Sequence, residues 1–187
     1  MITRDGGWFA LPAVLLLLAA CSTASAPAPA ASPTASWRWN GLIAKCPVLD
    51  GAAAHTFGVS GEGRPTADYR GKLSKGLFAV CVWGRPDGTV PGVEAKIDIT
   101  HPKAVDAVWN IWEVYDQVPG LGDDARRQVT LRPSGLAIHV RSDNALVTVT
   151  ITPSEPSGET ESEMSARLKR LEPVATEITK DVLEDLR

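Results

Sequence analysis

Apolar positions change period several times along the chain, and each change marks an element. Val93, Ala95, Ile97 and Ile99 alternate with Glu94, Lys96, Asp98 and Thr100, the period of two that belongs to a strand with one face in the core and one in water. Leu77 to Trp83, LFAVCVW, is apolar without interruption, as a central strand covered on both faces must be. Leu136, Ile138 and Val140 face one way, Val147, Val149 and Ile151 repeat the pattern, and Ser142-Asp143-Asn144 lies between. This predicts a hairpin whose other face carries Thr148, Thr150 and Thr152, with His139 and Arg141 on its exposed side.

Helical spacing predicts the remaining elements. Pro47 suits a first turn and Gly58 a helix end, so a short helix is expected over about 47–57, followed by a Gly-rich loop over 58–76. Val105, Val108, Trp112, Tyr115 and Val118 recur at intervals of three or four, which predicts a helix over about 102–117 lying on the sheet. VPGLGDDA, residues 118–125, is a tight loop leading into RRQVTLRP. Thr160 and Glu163 have capping-box spacing, and Met164, Leu168, Leu171, Val174, Ile178, Val182 and Leu186 continue the stripe. Pro173 lacks an N–H and its ring crowds the preceding turn, so two segments, 161–171 and 173–186, are predicted with a kink or break between them.

The N-terminus follows a different logic. Trp8 to Ala20 is an uncharged and mostly apolar run of thirteen residues, whereas crossing a bilayer takes about 20. Preceded by Arg4 and ending in small residues, it has the layout of an export signal over 1–20. Residues 22–36, STASAPAPAASPTAS, carry no charge and no large apolar side chain, so they gain nothing from ordering and read as a tether. Extended at about 3.1 Å per residue, such a tether reaches roughly 45 Å.

Leu18-Ala19-Ala20-Cys21 resembles the lipobox of bacterial lipoproteins, in which the cysteine thiol receives a diacylglyceryl group before cleavage. The resemblance implies lipidation at Cys21 and a domain held at the outer face of the cytoplasmic membrane, where two acyl chains anchor stably and one does not. With Cys21 committed to lipid, Cys46 and Cys81 are left in an oxidising compartment. Their pairing is the expectation, since a metal or redox site needs partners that the sequence does not place nearby.

Composition removes some functions. Lys and Arg total 19 against 22 Asp and Glu, a net charge of −3, and loss of the signal takes one charge of each sign. There is no basic patch to hold nucleic acid. His55, His101 and His139 fall on a helix, a helix start and a strand face, without metal-ligand spacing or an HExxH motif. No serine lies in GxSxG, and Ser60 has no strand-to-helix elbow around it. Glu94 and Asp98 flank Lys96 on a wet strand face and read as its solvated side. No metal, cofactor or catalytic residue is predicted.

In order along the chain, the lipobox cysteine, the tether, Cys46-Pro47-Val48-Leu49, Cys81-Val82-Trp83, PGLGDDA at 119–125, the strands around Ser142-Asp143-Asn144 and the closing helix resemble actinobacterial lipoproteins built around a small secreted domain of unknown function. A looser likeness is to the extracytoplasmic sensor domains of actinobacterial receptor kinases. The first resemblance agrees with pairing Cys46 to Cys81 and supplies no catalytic residues.

The sequence thus predicts one α+β domain over 37–187: an antiparallel sheet of about five strands, helices mainly on one face, and a disulfide from the first helix to a central strand. The expected function is non-catalytic binding of a small apolar ligand or an envelope protein partner. The candidate groove involves Trp109, Trp112, Tyr115, Leu121 and Asp123, between the 58–76 loop, the VPGLGDD loop and the exposed sheet face. An envelope hydrolase or a structural envelope component are the alternatives. A concave pocket of about 300 Å³ or more favours ligand carriage, whereas an exposed apolar patch without one favours a protein partner.

Overall fold

In the computed structural model the described residues are 38, 39, 41, 45–69, 76–85, 90–131, 134–154 and 158–186. The export signal, Cys21, the tether and part of the 58–76 loop lie outside them.

Two strands come from alternating or continuous apolar runs, as expected: β4 (Leu77–Gly84) and β5 (Gly92–Ile99). With β3 (Arg64–Tyr69), β6 (Asp116–Gln117), β7 (Asp124–Leu131), β8 (Ser134–Ser142) and β9 (Ala145–Thr152) they build a seven-stranded antiparallel sheet in the order β3-β4-β5-β9-β8-β7-β6. A separate antiparallel pair joins β1 (Val48–Leu49) to β2 (Gly61–Glu62). The sheet is therefore wider than the five strands predicted. The missed strand of substance is β3, which the pattern placed in a loop. It sits at an edge, where Pro65 is tolerated, and a register shift between Pro65 and Ala67 breaks its alternation.

The β8–β9 hairpin forms with Leu136 opposite Ile151, Ile138 opposite Val149 and Val140 opposite Val147. All six are buried, and Val93, Ala95, Ile97 and Ile99 extend the same surface across β5. On it lies α3 (Glu161–Asp185), which contributes Leu168, Ala175, Ile178 and Val182. Thr160 and Glu163 close the capping box at its start. The predicted break at Pro173 is absent, and α3 runs through it. Pro173 is on the exposed side of the helix, where water can satisfy the carbonyl that the missing N–H leaves free.

Helices occupy both faces of the sheet. α1 (Ala52–Phe57) packs with α3 in the main core, while α2 (Pro102–Trp112) lies on the opposite face, where Val105 and Trp109 meet Leu146. The helix predicted over 102–117 stops at Trp112. Beyond it Val114 is 81% exposed and Asp116–Gln117 pairs with Arg126 and Arg127 of β7, so leaving the helix gains strand hydrogen bonds and forfeits no burial.

Cys46 and Cys81 form a disulfide with their Cα atoms 5.6 Å apart. Its attachment differs from the prediction. Residues 48 and 49 are strand, not helix, so Cys46 precedes β1, whereas Cys81 is on an inner strand as expected, β4, paired with both β3 and β5. Pro47 caps no helix; its fixed φ suits extended chain equally well, and its carbonyl accepts from the N–H of Gly63. A side chain at Gly63 would place its Cβ 2.6 Å from the Trp83 ring and 2.9 Å from the Cys46 Cβ. Only glycine permits the chain between β2 and β3 to approach the disulfide this closely.

Candidate ligand-binding cleft

The sheet face beneath α2 is polar by sequence and only half covered. Two cross-strand rows define it. One runs Phe78, Asp98, Leu146, Arg141 and the next Val80, Lys96, Thr148, His139, from β4 through β5 and β9 to β8. α2 rests over the β8–β9 end of these rows. Beside it, over β4 and β5, a cleft of about 540 Å³ remains, with Leu77, Phe78, Ile99, Val108 and Trp112 as apolar lining and Lys96, Asp98, Thr148 and His139 as polar groups.

His139, predicted as exposed, is 5% exposed. It points to the predicted side of the hairpin, but α2 and the turn after it cover that side. Trp112 stacks on the imidazole at 4.2 Å between ring centroids, and Tyr115 lies at 5.9 Å, nearly parallel. Nε2 is 2.9 Å from Gln128 Oε1 and Nδ1 is 3.0 Å from Thr148 Oγ1. The amide oxygen can only accept, so Nε2 carries the proton and Nδ1 accepts from the threonine hydroxyl. Both ring nitrogens are satisfied in the neutral form, and burial pulls the pKa down to about 4.

Asp98 is half-buried and its pKa is raised by that burial, an effect that Lys96 offsets in part. Lys96 itself lies 3.3 Å from Glu94. Among the described residues no hydrogen bond or close ion pair reaches the Asp98 carboxylate.

Thr148, His139 and Gln128 stand in the order nucleophile, base and orienting group, and Thr148 and His139 both line the cleft. The chemistry is weak at neutral pH. A base with a pKa near 4 takes up little of a hydroxyl's proton, and a neutral amide offers the imidazolium none of the charge stabilisation that a carboxylate provides. The line reads best as three buried polar groups satisfying one another.

The structure separates the five groove candidates. Trp112 lines this cleft. Trp109 is buried under α2, where its indole N–H donates to Asp124 at 3.2 Å. Leu121 is in the main core, and Asp123 accepts from the backbone N–H of Asp143 at the β8–β9 tip. Tyr115 borders a second cleft, of about 640 Å³, between β7 and the first half of α3. There Arg127 is held by Asp116 and Glu172, so its charge is already answered. Among the described residues no group of His, Cys, Asp and Glu could hold a metal ion, and no helix is long and apolar enough to cross a membrane.

No protein-family model, curated protein or solved structure matches the chain.

Phe78, Lys96, Asp98 and Thr148 are cleft residues that sequence reasoning left as plain strand positions. The polar alternation of β5 and β9 was the visible signal. What it lacked was which half of that face α2 would leave open.

Proposed function

We propose that the chain is a non-catalytic extracytoplasmic lipoprotein, anchored through lipid on Cys21 at the outer face of the cytoplasmic membrane, that binds a small ligand in the cleft beside α2. The observation that carries the binding reading is the cleft itself: about 540 Å³, inside the range of small-molecule sites, with a mostly apolar lining and a few polar groups to fix orientation. The anchor reading rests on the likeness of Leu18 to Cys21 to a lipobox and on the order of short motifs along the mature chain, which resembles that of actinobacterial lipoproteins. The Cys46–Cys81 disulfide fits an oxidising compartment.

Two measurements test the two halves. Full chain purified from membranes should release a co-purifying small molecule in native mass spectrometry, and Ala104→Trp, a substitution on the α2 wall of the cleft, should lose it. An identical spectrum for both proteins counts against the cleft. Cys21→Ala should move the protein from the membrane to the soluble fraction; retention in the membrane counts against lipid anchoring.

One observation favours a second reading. Thr148 Oγ1 and His139 Nδ1 meet at 3.0 Å at the cleft, the contact an envelope hydrolase needs between nucleophile and base. That reading requires the full chain to hydrolyse para-nitrophenyl acetate above the buffer rate and Thr148→Val to abolish the excess.

A further inference from the structure

Among the described residues that line the cleft beside α2, Asp98 is the ionic group that no hydrogen bond or close ion pair engages. Asp98 stands on β5 between Phe78 on β4 and Leu146 on β9, and neither neighbour can donate to a carboxylate. Among the described residues the nearby cations have closer partners, although Lys96 still acts on Asp98 through its charge. Lys96 is turned to Glu94 at 3.3 Å. Arg141, beyond Leu146 in the same row, reaches Asp106 at 3.4 Å and lies over the Trp109 ring. His139 has both ring nitrogens in hydrogen bonds that the neutral imidazole satisfies. The second cleft is different, because it carries charges of both signs: Arg127, matched by Asp116 and Glu172, and Lys169 and Glu161 from α3.

The charge left over therefore selects the ligand. An anion would meet the Asp98 carboxylate, while the described cation on the same lining, Lys96, is shared with Glu94. A neutral apolar body would bury the carboxylate further and leave it unpaired, which is costly. A cation removes the deficit, and Phe78 and Trp112 supply the aromatic surfaces that ammonium groups favour. We infer that the cleft takes a small organic cation, an amine or quaternary ammonium on an apolar body, with its charged end at Asp98 and its body against Phe78, Val108 and Trp112. The inference rests on the binding reading above and names the class of ligand for that same site.

Three probes of matched shape separate the two ideas: para-tert-butylbenzylamine as the cation, para-tert-butylbenzyl alcohol as the neutral form and para-tert-butylbenzoate as the anion. Each is titrated calorimetrically into the purified full chain, its Asp98→Asn variant and Ala104→Trp. The cation should bind about tenfold or more tighter than the alcohol, as a charge-assisted contact does over a neutral one, and the anion weakest. Asp98→Asn should erase the cation's advantage over the alcohol while the alcohol still binds, which also reports that the cleft is intact. Equal affinities of cation and alcohol for the wild type, both lost in Ala104→Trp, overturn the inference and keep the binding reading. A cation preference that survives Asp98→Asn overturns it as well. Loss of the alcohol together with the amine in Asp98→Asn assigns Asp98 to the shape of the cleft and overturns it too. Failure of all three probes to bind the wild type counts against both readings.

Discussion

Trp112 covers His139 face to face, with ring centroids 4.2 Å apart and planes inclined by 22°. This stack joins the end of α2 to the middle of β8. It closes one end of the cleft and turns a histidine with a nominally wet position into a buried neutral hydrogen-bonding group.

The first prediction concerns the protonation of His139. Its folded pKa is about 4, whereas an unfolded histidine titrates near 6.5. Between those values the unfolded chain binds a proton that the folded chain does not, so stability rises with pH across the window. Lowering the pH from about 6.5 to about 4 should therefore remove roughly 3 kcal/mol through this group, with no further loss from it below. The difference in unfolding free energy between wild type and His139→Gln should carry that slope, and NMR titration should place the imidazole near 4. An imidazole that titrates near 6.5 refutes the account.

The second prediction concerns the segment that follows the tether. Asn144 is fully buried, accepts from the backbone N–H of Trp39 at 3.0 Å and donates to its carbonyl at 2.7 Å. Asp143 accepts from the N–H of Arg38 at 2.6 Å. The β8–β9 tip thus holds Arg38 and Trp39 as a strand neighbour would. Asn144→Ala strands two buried backbone groups and should cost about 2 kcal/mol. It should also release the Trp39 amide to fast hydrogen exchange, whereas Asp143→Ala should release only Arg38. Unchanged protection at Trp39 in Asn144→Ala contradicts this.

The elements that were legible are those whose partners are close in sequence or whose pattern has one meaning. β8 and β9 are joined by a short turn and repeat one alternation, so their pairing follows. β5 shows its buried face through Val93, Ala95, Ile97 and Ile99. β3 was hidden because an edge strand needs only one neighbour and little burial, and Arg64, Pro65, Thr66, Ala67 and Asp68 have no apolar face to display. The cleft was hidden for another reason. Thr148 and Asp98 look the same in sequence whether α2 covers them or not, and only the placement of Val105 and Trp109 on Leu146 decides it. Trp109 and Leu121 illustrate the converse: both were groove candidates, and both are side chains that the fold consumes as core.

The disulfide supports a third prediction. It closes a stretch of 35 residues containing β1, α1, β2 and β3, which are short and, apart from Leu49, Ala54 and Val59, contribute little to the main core. In the chain-entropy account a loop of that length is worth about 3 to 4 kcal/mol. Cys46→Ser/Cys81→Ser should lower the unfolding free energy in urea by that amount. Proteolysis of the reduced or double-variant protein should begin between residues 46 and 76. First cuts in β8 or β9 would show that the bridge supports the sheet as a whole.

The fourth prediction turns on Pro173, inside α3. A proline in a helix interior costs about 3 kcal/mol against alanine, because it omits one hydrogen bond and crowds the turn before it. Replacing it also frees the unfolded chain, which takes back up to about 1 kcal/mol. Pro173 is exposed, while Ala175, Ile178 and Val182 beyond it are fully buried. A new N–H at this position therefore gains its helical bond without disturbing the core. Pro173→Ala should raise the unfolding free energy by about 2 kcal/mol, measured by urea denaturation. If α3 has a bend at this proline that its packing on β8 requires, straightening it would displace Ile178 and Val182, and the same substitution would destabilise. The sign of the change thus distinguishes a proline that the helix tolerates from one that shapes it.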